Sequence, residues 1–257
     1  MKTSKEITEE QTNIEQDIYD LAATTGLSND NWLPITDGTA SPEQYLNAKY
    51  QIMCVLKEPY DEVSEDEIPS GGGWSIVNDC FQGHGLNGLE PKDNVWSQAS
   101  WQPLIYFLYA LFHNMHWEDL DWLRDNPTMA KVLQKIVYLN VNKMPALTQS
   151  NNNDMVMHYA TWKPILFRQF KLYEPSVIVF HGTYNLFADD LSSILGFPIT
   201  LIQTLEINEV YYGSVYRCGE KLLIAVDHPN CRKKGFNRGD YVNLLIDTIQ
   251  KYARKIY

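Results

Sequence analysis

Five consecutive apolar residues, Ile52 to Leu56, constrain the fold of this chain more than any other stretch. An unbroken apolar run of this length is typical of a strand buried on both faces, as in a parallel sheet. We predict that the strand stops at Lys57, because Pro59 lacks the amide hydrogen that a sheet ladder requires. Open α/β sheets bind ligands beyond the carboxyl ends of their strands, so Glu58 and Tyr60 are expected in the floor of a site.

Further apolar runs alternate with helical patterns along the rest of the chain. Strands are predicted at 136–140, 177–180, 199–202, 211–216 and 221–226, and helices at 3–21, 98–117, 129–137, 156–170, 184–195 and 240–255. This alternation predicts an α/β protein with three α/β/α layers around a central, mainly parallel sheet. Residues 49–257 are predicted to form that domain, and residues 1–48 an N-terminal helical extension packed on it.

Composition narrows the function classes. The four cysteines are scattered without a Cys-x-x-Cys pair, so we expect free thiols, no metal or metal cluster and no cofactor. The longest apolar run has nine residues, and residues 1–20 lack an apolar centre, so we expect no membrane contact, no signal peptide and a cytoplasmic protein. A net charge of −11 argues against a dedicated duplex-binding protein, whose affinity comes largely from neutralising phosphates.

Polar residues follow four of the predicted strands, within four short motifs. These are Leu56-Lys57-Glu58-Pro59-Tyr60-Asp61, Asn140-Val141-Asn142-Lys143-Met144-Pro145, Pro175 to Gly182 with His181, and His228-Pro229-Asn230. In this order, over roughly residues 49–257, they resemble the motifs of the uracil-DNA glycosylase superfamily. The resemblance implies that family's α/β fold and an enzyme of base-excision DNA repair. Such an enzyme hydrolyses the N-glycosidic bond of uracil or a related altered base in DNA.

The same resemblance implies roles for individual residues. Glu58 would stabilise the sugar cation and position water, and His228 would stabilise the departing base. Asn140 carries a donor and an acceptor, so it would pair with the edge of a pyrimidine. Tyr60 would exclude a methyl group at C5 of the base.

An extruded base also needs an aromatic stacking partner, for which Phe81 is the first candidate and Trp74 the second. Four cations follow the His228 motif in a stretch without an acid, and we predict that they contact DNA phosphates: Arg232, Lys233, Lys234 and Arg238. A solvated loop ahead of the last helix explains the same charges equally well.

Departures from the family pattern keep other functions open. Glu58 stands where the family has an aspartate, Asn230 stands where it has a serine, and acids at 61–67 follow the first motif directly. One alternative is the same fold acting on or binding another nucleobase or nucleotide, a small ligand that the loop Gly71 to Gly73 would suit. The other is a non-catalytic interaction protein.

Overall fold

A computed structural model describes residues 2–61, 70–82, 99–146 and 151–253. The α-helices are α1 (Ser4–Thr24), α2 (Pro42–Leu46), α3 (Trp101–His113), α4 (Asn152–Tyr173), α5 (Tyr184–Phe187), α6 (Leu191–Leu195) and α7 (Arg238–Tyr252). The strands are β1 (Gly38–Thr39), β2 (Ile52–Leu56), β3 (Val137–Asn140), β4 (Val177–His181), β5 (Ile199–Ile207), β6 (Val210–Cys218) and β7 (Lys221–Val226). A π-helix (Ile76–Gln82) and 3₁₀ segments (Trp117–Asp119 and Pro127–Lys135) complete the helical elements of these ranges.

The seven strands form one sheet in the order β1-β3-β2-β4-β7-β6-β5. Strands β3, β2, β4 and β7 run parallel to one another, while β1 and the pair β6 and β5 are antiparallel to their neighbours. The apolar run Ile52–Leu56 is the central strand β2, with all five residues buried. The α/β class is therefore confirmed, with the predicted parallel arrangement at the centre of the sheet.

Helices cover both faces of the sheet. Alternate residues of β2 point to opposite faces: Cys54 lies in a core cluster with α3 and α7, and Met53 in a second cluster with α1 and α4. This period of two follows from the pleat of a strand. The sheet is thus a middle layer between two helical layers. Because side chains alternate between the two faces, the position of a residue along its strand decides which helical layer it faces.

Local sequence signals set the helix starts. Thr3 caps α1 in a reciprocal capping box with Glu6, and Ser41 caps α2 ahead of Pro42 at its first position. Residues 184–195 form two short helices instead of the predicted single one. Asp190, between them, accepts hydrogen bonds from Tyr159 and Lys163 of α4, which anchors the chain at that turn.

Other elements depart from the sequence prediction. The segment 129–137, predicted to be a helix, is mostly a 3₁₀ segment, and its buried residues Met129 with Val132 and Ala130 with Leu133 repeat every three positions, as 3₁₀ geometry requires. Strand β5 extends to Ile207 because it pairs along its length with β6. Residues 254 and 255 of the predicted last helix, and the acids at 62–67, lie outside the described residues.

The N-terminal segment takes part in the sheet through β1, which pairs with β3. Just before β1, Asp37 forms a fully buried ion pair with Lys143, with Nζ and Oδ2 2.7 Å apart. The same carboxylate accepts hydrogen bonds from the backbone N–H of Asn140 at 2.7 Å and from the side-chain amide of Gln169 at 2.8 Å. The segment before residue 48 is therefore bonded to β3 and α4, although the predicted domain division at residue 48 stays a prediction.

Replacing Lys143 tests how much this ion pair contributes to stability. We expect Lys143→Met to lower the free energy of unfolding by about 3–5 kcal/mol, because it leaves the Asp37 carboxylate buried without its cation. Lys163→Met is the matched control: Lys163 and Asp190 form a partly exposed pair, so its loss should cost less than about 1 kcal/mol. Urea denaturation measures both, and equal losses would contradict this view of the Asp37–Lys143 pair.

Candidate functional site at the carboxyl edge of the sheet

The carboxyl ends of the parallel strands place four residues in one row. Asn140 of β3 pairs with Leu56 of β2, and His181 of β4 pairs with Val226 of β7. The register between β2 and β4 sets Leu56 beside His181. Neighbouring strands lie about 4.8 Å apart, so the Cα atoms of Asn140 and His181 are separated by about 10 Å. Their alternation along the strands points both side chains to the α3 and α7 face.

The side-chain amide of Asn140 is buried and unsatisfied within the part of the chain that the structure describes. The residue is fully buried, yet neither Oδ1 nor Nδ2 has a hydrogen-bond partner among the described residues. Leaving a buried donor or acceptor unsatisfied costs about 1–3 kcal/mol each. Its backbone N–H, in contrast, is bonded to Asp37. The backbone of Asn140 is thus fixed, while its amide is free to pair with a ligand.

His228 is a neutral hydrogen-bond donor at this edge. Its Nδ1 accepts a hydrogen bond from the backbone N–H of Asn230 at 3.2 Å, which places the ring proton on Nε2. Burial and, to a smaller extent, the nearby positive charge of Lys57 together lower the pKa of His228 to about 4. The imidazole is therefore neutral at physiological pH, and its Nε2–H can donate to a ligand oxygen.

His181 is more deeply buried than His228. Its Nδ1 is 2.8 Å from the hydroxyl of Tyr241, but Nε2 has no hydrogen-bond partner among the described residues. Burial, with a smaller contribution from His228, lowers the pKa of His181 to about 3. A second neutral imidazole thus joins the row of polar residues, a role that was not assigned to His181 from the sequence.

Glu58 and Tyr60 follow β2 as predicted and run beside the segment after β3. Tyr60 forms an isolated parallel bridge with Ala146, and its side chain is 54% exposed. Glu58 is half-buried and makes no hydrogen bond or ion pair with another described residue. Its carboxylate therefore has no polar contact with the described residues that a ligand would have to break.

Lys57 is a neighbour of the site that the sequence prediction missed. A Cβ added to Gly182 would lie 3.7 Å from Cε of Lys57 and 3.7 Å from Cβ of His228, so the ends of β2, β4 and β7 meet at this glycine. Lys57 stands next to Glu58 in the first motif, which is the signal that could have singled it out. Only the register of the strands shows that its charge acts on His228.

The two stacking candidates differ in exposure. Phe81 is fully buried, and its ring makes edge contacts with Trp101 and Tyr138 at centroid distances of 5.5 Å. Trp74 is half-buried, and its indole N–H donates to Asp61 at 3.1 Å. Because Phe81 is enclosed by other rings, Trp74 is the better placed of the two to offer an open face.

Asp61 and the glycines have structural roles. Besides the indole of Trp74, Asp61 accepts the backbone N–H of Gly72 at 2.7 Å. Gly72 has a φ of +78°, and an added Cβ would lie 1.8 Å from the carbonyl oxygen of Leu33. Only glycine fits there. The loop Gly71 to Gly73 is therefore packed against residues 31–36 and hydrogen-bonded to them through its backbone. Its glycines have this structural role, so they do not by themselves indicate a ligand site.

The four predicted DNA-binding cations are not equally available. Lys233 forms an ion pair with Asp227 and lies over the ring of Tyr211. Arg238, the first residue of α7, donates to Gln102 at 3.4 Å. Arg232 and Lys234 are exposed and form no ion pair with a described acid. Two of the four positive charges are thus held by contacts within the protein.

The structure also bears on disulfides, metal-binding groups and membrane-spanning helices in the part of the chain that it describes. All four cysteines are free thiols. No cluster of three or more His, Cys, Asp or Glu side chains within residues 2–61, 70–82, 99–146 and 151–253 could hold a metal ion. Among the helices of those ranges, none has the length and apolar character needed to cross a bilayer.

Comparisons with known proteins leave the site to be interpreted from its own geometry. No protein-family model matches the chain, and no curated protein matches its sequence.

Replacing Asn140 by leucine separates stability from ligand binding. We expect Asn140→Leu to raise the free energy of unfolding by about 1–3 kcal/mol, because an apolar side chain of similar size removes two unsatisfied polar atoms. Asn142→Leu is the matched control and should destabilise, since Asn142 accepts from Trp162 and exchanges bonds with Met144. Urea denaturation of both variants tests this, and a destabilised Asn140→Leu protein would show that the amide is already satisfied.

The lowered pKa of His228 leads to a prediction about the pH dependence of stability. Its imidazole should titrate near pH 4, against 6.5 for an unperturbed histidine. Between pH 6.5 and pH 4, His228 is protonated in the unfolded chain but stays neutral in the folded protein. The free energy of unfolding therefore falls as the pH drops from 6.5 towards 4. Long-range ¹H–¹⁵N NMR measures the titration and the tautomer, and His228→Gln should have a shallower pH dependence of stability in this window. A midpoint near 6.5 would contradict the burial argument.

Proposed function

We propose that this chain is a uracil-DNA glycosylase-like enzyme that hydrolyses the N-glycosidic bond of uracil or a related altered base in DNA. The observation that carries the proposal is the amide of Asn140, which is buried and has no hydrogen-bond partner among the described residues. Uracil presents an N–H donor and a carbonyl acceptor side by side, and an amide presents the complementary acceptor and donor. Binding of the base would satisfy both polar atoms of Asn140 at once, which repays the cost of burying them.

The neighbouring side chains supply the chemistry of bond cleavage. Breaking the bond between the sugar C1′ and the base nitrogen leaves its electron pair on the base and a cation on the sugar. The Nε2–H of His228 donates a hydrogen bond to an oxygen of the base anion. Glu58 stabilises the cation and accepts a proton from the water that attacks C1′, and this proton then passes through solvent to the base anion. The products are the free base and an abasic sugar.

Two aromatic residues would complete the base pocket. A bound base would cover part of the exposed ring of Tyr60, which then occupies the C5 side and excludes a methyl group. The half-buried indole of Trp74 supplies the stacking face that an extruded base requires. Phe81 supports this pocket from below through its contact with Tyr138, which lies two residues before Asn140 on the same face of β3.

A second candidate function is hydrolysis or binding of a free nucleobase, nucleoside or nucleotide by the same site. The observation that favours it is electrostatic. The ion pair between Lys233 and Asp227 removes one cation from the predicted phosphate contacts, and the whole chain carries a net charge of −11. A small ligand does not need the long basic surface that a DNA backbone does.

A uracil-containing oligonucleotide tests the first function. The protein should release uracil from single or double strands and leave abasic sites, which alkali converts to strand breaks. Glu58→Gln should lower the rate by about 100-fold or more, the usual size of a catalytic carboxylate's contribution. Glu206→Gln is the control, an exposed glutamate on β5 whose loss should leave the rate unchanged. His228→Ala should also lower the rate.

Absence of breaks at high protein concentration would discard DNA as the substrate. The same protein, incubated with uridine, deoxyuridine and their monophosphates, then tests the second function by chromatography of the released base. Release that depends on Glu58 would assign the small-ligand activity. Ligand-dependent thermal stabilisation without release would indicate a binding protein.

A further inference from the structure

A cavity lined by α3 and the segment 117–122 has walls of a different chemistry from the strand ends. It has a volume of about 300 Å³ and shares no residue with the candidate site. Its lining comes from α3 and the segment 117–122, and consists of three aromatic rings and two carboxylates with one leucine: Tyr106, Trp117, Trp122, Glu118, Asp121 and Leu120. This volume is at the lower end of the range of small-molecule pockets.

The aromatic rings form the sides of a corner. The rings of Trp117 and Trp122 are nearly perpendicular, at 88° with centroids 6.5 Å apart. Tyr106 contacts Trp117 edge-on at 5.0 Å and 69°. Trp122 is 59% exposed, so much of its ring is accessible to a ligand. Aromatic rings that line a cavity attract a cation through the negative π surfaces of their faces.

The corner is rigid before any ligand binds. Trp117 is held by its backbone N–H, which donates to Asn243 at 2.8 Å, and its ring lies against Gly239, where an added Cβ would approach to 2.8 Å. The hydroxyl of Tyr106 accepts the backbone N–H of Leu123 at 2.9 Å. Two of the three rings are therefore fixed between α3 and α7, so binding need not order them.

The two carboxylates of the lining give the cavity a negative charge. Neither Glu118 nor Asp121 forms an ion pair with a described lysine or arginine. Each accepts hydrogen bonds from a neutral amide: both oxygens of Glu118 from Asn243, and Asp121 from Asn126, all at 3.2 Å. Among the described residues, no third His, Cys, Asp or Glu forms a metal-binding group with them, and hydrogen bonds to neutral amides do not neutralise their charge.

We propose that the cavity lined by Tyr106, Trp117, Trp122, Glu118 and Asp121 binds a trimethylammonium group. Such a cation has no N–H to donate, so it needs aromatic faces and negative charge rather than free hydrogen-bond acceptors. Both are present on the same wall. The group could belong to a small molecule of the choline type or to a trimethylated lysine side chain, which share this chemistry.

Calorimetric titration of the full chain with choline tests the site. We expect saturable binding, and at least tenfold weaker binding of 3,3-dimethylbutan-1-ol, which has the same shape without the charge. Trp122→Ala should weaken choline binding about tenfold or more, Trp122→Phe should restore much of it, and Glu118→Gln should weaken it several-fold. Phe197→Ala is the control, an aromatic residue of similar exposure that should leave binding unchanged.

A second titration identifies the source of the group. A short peptide with one trimethyl-lysine is compared with the same peptide carrying unmodified lysine. Tighter binding of the methylated peptide than of choline assigns the cavity to a modified protein, and the reverse assigns it to a small molecule. Equal binding of choline and its neutral analogue, or no binding of choline or methylated peptide up to about 10 mM, would overturn the proposal.

Discussion

The buried ion pair between Asp37 and Lys143 is the interaction on which the candidate site depends. Burying two charges is costly unless every remaining lone pair and proton finds a partner. Asp37 meets that condition by also accepting bonds from the backbone of Asn140 and from Gln169 of α4. One carboxylate therefore joins the segment before β1, the end of β3 and a helix of the outer layer. Asn140 is fixed at its backbone by the same atoms.

This arrangement leaves the polar groups of the sheet edge available. Asp37 accepts the backbone N–H of Asn140, while the Asn140 amide has no partner among the described residues. The hydroxyl of Tyr241 is hydrogen-bonded to Nδ1 of His181, and Nε2 has no partner among those residues. Burial then keeps the imidazoles of His181 and His228 neutral. Neutral donors and acceptors at the sheet edge, with Glu58 just beyond β2, support the pyrimidine ligand that we propose.

Local signals in the sequence predicted much of the fold. The apolar run Ile52–Leu56 is a strand with the predicted bounds, and the helix predicted at 3–21 is α1, with Thr3 as its N-cap. These features depend on neighbours in the sequence, so they can be recognised without coordinates. The length of β5 and the break between α5 and α6 could not be predicted, because pairing with β6 and the contacts of Asp190 with α4 join residues far apart in the sequence.

For the site, the sequence by itself determined which polar residues stand at which strand ends: Glu58 after β2, Asn140 at the end of β3 and His228 after β7. Only the tertiary structure decided what each can do. It enclosed Phe81 among other rings, paired Lys233 with Asp227, set Lys57 beside His228 and left the amide of Asn140 without a partner among the described residues. The reason is that burial, charge and hydrogen bonding act through space between elements, whereas a sequence pattern records only the order of residues along the chain.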